Sequence, residues 1–197
     1  NGISLVSGAN NKIYNNTINN NGTEAGAGNG DGVKIVAGIT GAIIKNNIMS
    51  GNDGWGINSA VAITVSHNDY YNNVTGGCTD SGSGSSCPGT GSISSDPLYV
   101  NAGAGNFTLT ECTSPAINAG TDLGADQPDQ NGVGAGNFNN NAPDLGAYES
   151  SSACAPTLSI VKQAWEENGS AVLVNPVTAP VGHTLVFLIY VKNTTGG

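Results

Sequence analysis

The stretch Asp31–Asn52, DGVKIVAGITGAIIKNNIMSGN, decides the fold, because it aligns without a gap on two others. These are Asn1–Gly22 (NGISLVSGANNKIYNNTINNNG) and Asp53–Val74 (DGWGINSAVAITVSHNDYYNNV). In that alignment Ile3, Val33 and Trp55 share a column, as do Leu5, Ile35 and Ile57. Further columns are Ile13, Ile43 and Val65; Asn16, Asn46 and Asn68; and Ile18, Ile48 and Tyr70. The period is 22 residues, interrupted once by the insert Thr23–Gly30. A fixed period in this range marks a solenoid, in which each unit buries its apolar face only against its neighbours.

Inside each unit the apolar alternations are short, as in Ile3-Ser4-Leu5 and Val33-Lys34-Ile35, and read as strands. Asn-Gly or Asp-Gly opens each unit at Asn1, Asp31 and Asp53, where a turn is expected and a glycine at positive φ is useful. Helical periodicity is absent. Short strands, Gly/Asn corners and this period together predict an all-β chain forming a parallel β-helix, one coil per repeat. Adjacent coils would lie about 4.8 Å apart. Same-column residues then stack, so Ile13, Ile43 and Val65 are expected to form an aliphatic ladder. Asn16, Asn46 and Asn68 would form an amide ladder at a corner, each side chain bonding the next.

The chain has 197 residues, is 38% hydrophobic and is only 10% charged. Its basic residues are Lys12, Lys34, Lys45, Lys162 and Lys192, with no arginine, and the net charge is −9. Phosphate binding needs clustered cations, so a nucleic-acid or anionic-membrane partner is not expected. No apolar run approaches the roughly 20 residues a bilayer span requires. Asn1 stands inside a repeat, so further sequence is expected ahead of it. Cys78, Cys87, Cys112 and Cys154 fit neither a zinc motif nor a C-x-x-C pair. In a chain of extracellular character they are expected to form disulfides: Cys78–Cys87 across a Gly/Ser loop, and Cys112–Cys154 clamping the end of the array. Asn-x-Ser/Thr sequons stand at Asn15, Asn21, Asn73, Asn106, Asn168 and Asn193, and would carry sugar only in a glycosylating host.

The pattern Ile-x-x-Asn-x-Ile, in Ile13–Ile18 and Ile43–Ile48, resembles the right-handed parallel β-helix repeat of pectate-lyase-like proteins. Asp96–Val100, Asn106–Leu109, Ser114–Gly120 and Asp144–Glu149 resemble the closing segment of such arrays in secreted prokaryotic surface proteins. The resemblance covers residues 1–150 and implies a right-handed coil and an extracellular or cell-surface location. Residues 151–156 read as a linker. Beyond it, 157–197 resembles the first strands of an Ig-like surface repeat, with strand-like runs at Leu158–Lys162, Ala171–Val174 and Thr184–Val191. A complete sandwich needs about seven strands. The apolar run Leu185, Val186, Phe187, Leu188, Ile189, Tyr190, Val191 would be an uncovered strand, so this part is expected to be completed by another chain or by further sequence.

Candidate chemistry is sparse. Asp31 and Asp53 share a repeat position, so their carboxylates would stack in adjacent coils. Carboxylates about 5–10 Å apart serve glycosidases, and such a pair could also hold calcium. The plainer reading is that each begins an Asp-Gly turn, as Asn1 begins Asn-Gly. Asp122, Asp126, Asp129 and Asn131 lie in a Gly/Pro loop that could wrap calcium, against the alternative of a solvated acidic turn, since EF-hand spacing is not met. The family resemblance would allow a lyase, whose base is usually an arginine; here only Lys12, Lys34 or Lys45 could stand in. His67 and His183 have no nucleophile or metal partner in sequence. No cofactor is expected. The function expected is a secreted or surface structural and adhesive protein, assembling into a fibre through its C-terminal strands. The alternatives are a polysaccharide-degrading glycosidase or lyase, and a glycan-binding module of a larger adhesin.

Overall fold

The computed structural model describes residues 1–22, 30–81, 87–126 and 142–150, and beyond them the backbone of three strands. The first repeat carries β1 (Ile3–Leu5), β2 (Lys12–Tyr14) and β3 (Thr17–Asn19), and the second β4 (Val33–Ile35), β5 (Ile43–Lys45) and β6 (Ile48–Ser50). The third carries β7 (Trp55–Ser59), β8 (Thr64–Ser66) and β9 (Asp69–Tyr71), and β10 (Gly76–Asp80) follows. They stack as three parallel sheets, β1-β4-β7-β10, β2-β5-β8 and β3-β6-β9, a β-helix-like arrangement. The described residues are essentially all β, with only two short 3-10 turns, Ala102–Ala104 and Gly124–Asp126.

The strand register corrects the gapless alignment. Ile3 pairs with Val33 and Leu5 with Ile35 as expected, but Ile13 pairs with Ile44 and Ile18 with Met49. Residues 6–11 join β1 to β2, whereas 36–42 join β4 to β5, one residue more. Because side chains alternate across a strand, that one residue turns Ile44 and Met49 inward in place of Ile43 and Ile48. In the third repeat Val33 meets Ile57, not Trp55, and Ile35 meets Ser59. Trp55 stands opposite Gly76, two residues from its expected column. The interior is therefore built on Ile13-Ile44-Val65, Ile18-Met49-Tyr70 and Val33-Ile57, all nearly or fully buried.

The glycines that matter at the first corner form a column of their own, Gly2, Gly32, Gly56 and Gly77. A Cβ on Gly32 would lie 2.6 Å from the Gly56 carbonyl oxygen, so close backbone approach between repeats demands glycine there. Positive φ occurs at the other corners, on Asn15, Asn46 and His67 and on Asn20, Gly51 and Asn72. Each stands immediately before a ladder position, where asparagine is among the few non-glycine residues that accept this conformation.

After the stack, β11 (Tyr99–Asn101) and β12 (Asn106–Leu109) form an antiparallel hairpin. The chain divides into two compact units, Asn1–Cys154 and Ala155–Gly197. In the second, β13 (Leu158–Glu166), β14 (Val172–Leu173) and β15 (Leu185–Asn193) form an antiparallel sheet in the order β14-β13-β15. Among the described strands β15 is an edge. The expected linker 151–156 lies outside the described residues, as do the side chains of Leu185–Val191.

Candidate functional site

The polar side chains of the stack bond to the backbone and side chains of the neighbouring repeats. The asparagine ladder runs through Asn16, Asn47 and Asn68, not Asn46. The backbone N–H and Nδ2 of Asn16 donate to Asn47 Oδ1 at 2.9 and 3.0 Å. The same groups of Asn47 donate to Asn68 Oδ1, both at 3.0 Å. Asn68 N–H in turn donates to Ser92 Oγ at 3.1 Å, which ends the ladder. A second ladder, missed by the sequence reading, runs through Asn21, Asn52 and Asn73, with amide bonds of 2.9 and 2.8 Å. Its signal was the constant spacing of Asn16/Asn21, Asn47/Asn52 and Asn68/Asn73, visible once the second repeat is slid by one residue. Asn46 has another task. Its amide pairs with the backbone of Thr121, accepting at 2.9 Å and donating at 2.8 Å, which docks the closing segment.

Asp31 and Asp53 do not share a column. Asp31 follows Asn1, whose Oδ1 accepts from Asp31 N–H at 3.1 Å, and precedes Trp55, whose N–H donates to Asp31 Oδ1 at 2.8 Å. Asn58 Nδ2 donates to Asp31 Oδ2 at 3.0 Å, and Lys34 Nζ lies 3.5 Å from the same oxygen. Both oxygens of this fully buried carboxylate are thus engaged. Asp53 is exposed, beside Gly22 and Gly30.

Of the proposed calcium residues, Asp122 Oδ1 accepts from Gly124 N–H at 2.7 Å, and Asp126 pairs with Lys12 on β2. Asp129 and Asn131 lie outside the described residues. Among the described residues, no three His, Cys, Asp or Glu side chains gather as a metal site would require. Cys78 and Cys87 form a disulfide. Cys112 is disulfide-bonded as well, and Cys154 lies outside the described residues. His67 is held at φ 49°, and burial lowers its pKa.

One strongly perturbed group was passed over by sequence reasoning. Asp69 opens β9 and points outward from the sheet, in the column Thr17-Ile48-Asp69. It is nonetheless fully buried, because the chain returns over it. Its Oδ1 accepts from Ser95 N–H at 3.1 Å, while Oδ2 is buried without a hydrogen-bond partner. Burial, with the nearby Asp96 carboxylate adding to it, pushes its pKa up to about 7. Close by, the Tyr99 hydroxyl bonds Ser50 Oγ at 3.0 Å, and burial raises the Tyr99 pKa too. A buried carboxyl with a raised pKa is an arrangement that acid–base enzymes use, but here the carboxyl has no exposed surface.

Comparison with protein-family models, with curated proteins and with solved structures finds no match.

Proposed function

We propose that this chain is a right-handed parallel β-helix of the pectate-lyase-like repeat kind, followed by part of an Ig-like segment, and that it serves as a secreted or cell-surface structural and adhesive protein. The observation that carries the reading is where the polar side chains go. The asparagines and Asp31 bond from one repeat to the next instead of converging on an accessible point. Corners tied by amide ladders stiffen a stack, which suits a mechanical role. The Cys78–Cys87 disulfide is in keeping with an oxidising, extracellular setting.

Assembly would use the strand β15. Among the described strands β15 is an edge, and an edge is the element that strand addition employs, here Leu185 to Val191 against a second copy or a neighbouring domain of the same surface protein. Contacts that do not close on themselves extend into a filament. Sedimentation velocity and electron microscopy over a concentration series test this, with the parent protein also assayed on a glycan panel. Concentration-dependent filaments support the reading, and a monomer at every concentration overturns the assembly. Glycan binding without turnover would make the chain a binding module of an adhesin. Turnover abolished by Asp31→Asn or Asp53→Asn would make it a polysaccharide-degrading enzyme, and calcium-dependent binding would revive the acidic loop at Asp122 and Asp126.

A further inference from the structure

One face of the stack is covered by the chain's own return. The outward column of the sheet β3-β6-β9 reads Thr17, Ile48, Asp69, and each member is held from above. Thr17 Oγ1 accepts from Ala147 N–H at 3.0 Å. Ile48 packs in a buried cluster with Leu109, Ala116 and Leu145, against which Tyr99 also lies. Asp69 Oδ1 accepts from Ser95 N–H. The covering parts, residues 95–121 and 142–150, are tied to each other through Asp144, whose two oxygens accept from Asn118 N–H at 2.8 Å and Ser150 N–H at 2.6 Å. Gly146 fits so closely that a Cβ there would come 2.7 Å from Thr17 Oγ1.

Thr17 and Ile48 are matched by what covers them, but Asp69 is not. One of its oxygens accepts from Ser95 N–H; the other has no hydrogen-bond partner, since the nearby Tyr70 N–H, which favours the ionised form, bonds Ile93 O. The groups facing it are the Tyr99 phenol and the Asp96 carboxylate from the covering segment, with Tyr71 beyond it on β9. None of these is a cation. An ionised carboxylate enclosed with one oxygen unpartnered is far costlier than a neutral one.

We propose that residues 95–121 and 142–150 form a pH-sensitive latch over the sheet β3-β6-β9, closed when Asp69 is protonated and loosened when Asp69 ionises. Opening uncovers the Thr17-Ile48-Asp69 column and lets the carboxylate reach water. The sign follows from linkage. The enclosed carboxyl titrates at about 7, above the ordinary carboxylate range that the opened state would restore. Closure is therefore fully favoured below that range and is lost as pH rises toward neutrality, levelling off above it. Between the two limits the closing equilibrium should fall about tenfold per pH unit.

Hydrogen exchange of the full chain from pH 4 to 8.5, corrected for the intrinsic chemical rate, tests this on peptides spanning Ser95–Leu109. In the parent protein protection there should fall several-fold per pH unit up to neutrality, while protection at Val33–Ile35 in the stack holds. In Asp69→Asn, which keeps the shape without the charge, the fall should become much shallower, what remains coming from Asp144, whose pKa burial also raises. A flat profile in the parent, or an unchanged fall in Asp69→Asn, overturns the latch. Should Asp69→Asn not fold, the parent alone decides: an equal loss at Ser95–Leu109 and Val33–Ile35 means global opening, and also overturns it.

Discussion

Removing the amide of Asn47 should be among the most damaging polar substitutions in the stack, and by more than its neighbours. Its Oδ1 accepts from Asn16 N–H and Nδ2, and its Nδ2 reaches Ile13 O at 2.9 Å, Lys45 O at 2.8 Å and Asn68 Oδ1 at 3.0 Å. All of this lies at a fully buried position. Asn47→Ala removes the two amide hydrogens and the acceptor oxygen and strands their partners: three groups at about 1 kcal/mol net each, plus about 1–3 kcal/mol for a buried group left unpaired, give a loss of roughly 4–6 kcal/mol. Asn16→Ala, at a half-exposed position where water replaces part of what is lost, should cost about 1 kcal/mol. Asn46→Gly forfeits the two bonds to Thr121 but relaxes a residue at φ 57°, for a net loss of about 1 kcal/mol. Urea unfolding followed by Trp55 fluorescence in a Trp165→Phe background reports on the first unit alone. If Asn46→Gly costs more than Asn47→Ala, or Asn47→Ala costs no more than Asn16→Ala, the assignment of the ladder is wrong.

Other substitutions probe separate parts of the molecule. Asp31→Asn places an NH2 against Trp55 N–H or Asn58 Nδ2 and should lower stability by about 1–3 kcal/mol, measurable by thermal unfolding; unchanged stability would refute its bonding role. Replacing Cys78 and Cys87 by serine opens a loop with a sequence separation of 9 and should cost about 2–3 kcal/mol, read from the shift in urea midpoint. Gly146→Ala forces a Cβ against Thr17 and Ile48 at φ 87°, so Ser95–Leu109 should lose exchange protection at acidic as well as neutral pH. A Gly32→Ala chain should lose several kcal/mol or fail to fold, since the backbone of the next repeat fills that space.

Much of the stack was legible because a solenoid writes its contacts into its period. Ile3, Val33, Leu5 and Ile35 pair as their spacing says, and one asparagine ladder was foreseen, with Asn46 in the place that Asn47 takes, since identical neighbours one repeat apart satisfy each other's donors and acceptors. The exact column was not legible. Ile43-Ile44 and Asn46-Asn47 are doublets, so sliding the second repeat by one residue leaves the pattern equally good. Burial then decided which of each pair turned inward, and the neighbours Ile48-Met49 went the same way. The Asp31/Asp53 pairing failed for a different reason: the third repeat begins at Trp55-Gly56 in space, two residues beyond the Asp53-Gly54 that looks like the start in sequence.

What the sequence by itself determined is an all-β chain of short strands, parallel and stacked, held by aliphatic and amide columns and locally closed by Cys78–Cys87. These follow from contacts between residues at a constant separation, which a linear pattern can display. What only the tertiary structure decided is everything that depends on the return of residues 95–121 and 142–150 over the stack. In the observed register Ile48 and Asp69 point outward from their sheet, where strand alternation alone would leave them at the surface. Ile48 is buried because Leu109, Ala116 and Leu145 fold back over that face, and Asp69 is met there by Ser95 N–H; no spacing in the chain encodes that. The same covering gives Asp69 its isolated carboxyl oxygen, since desolvation is set by everything that surrounds a group and not by its neighbours along the chain.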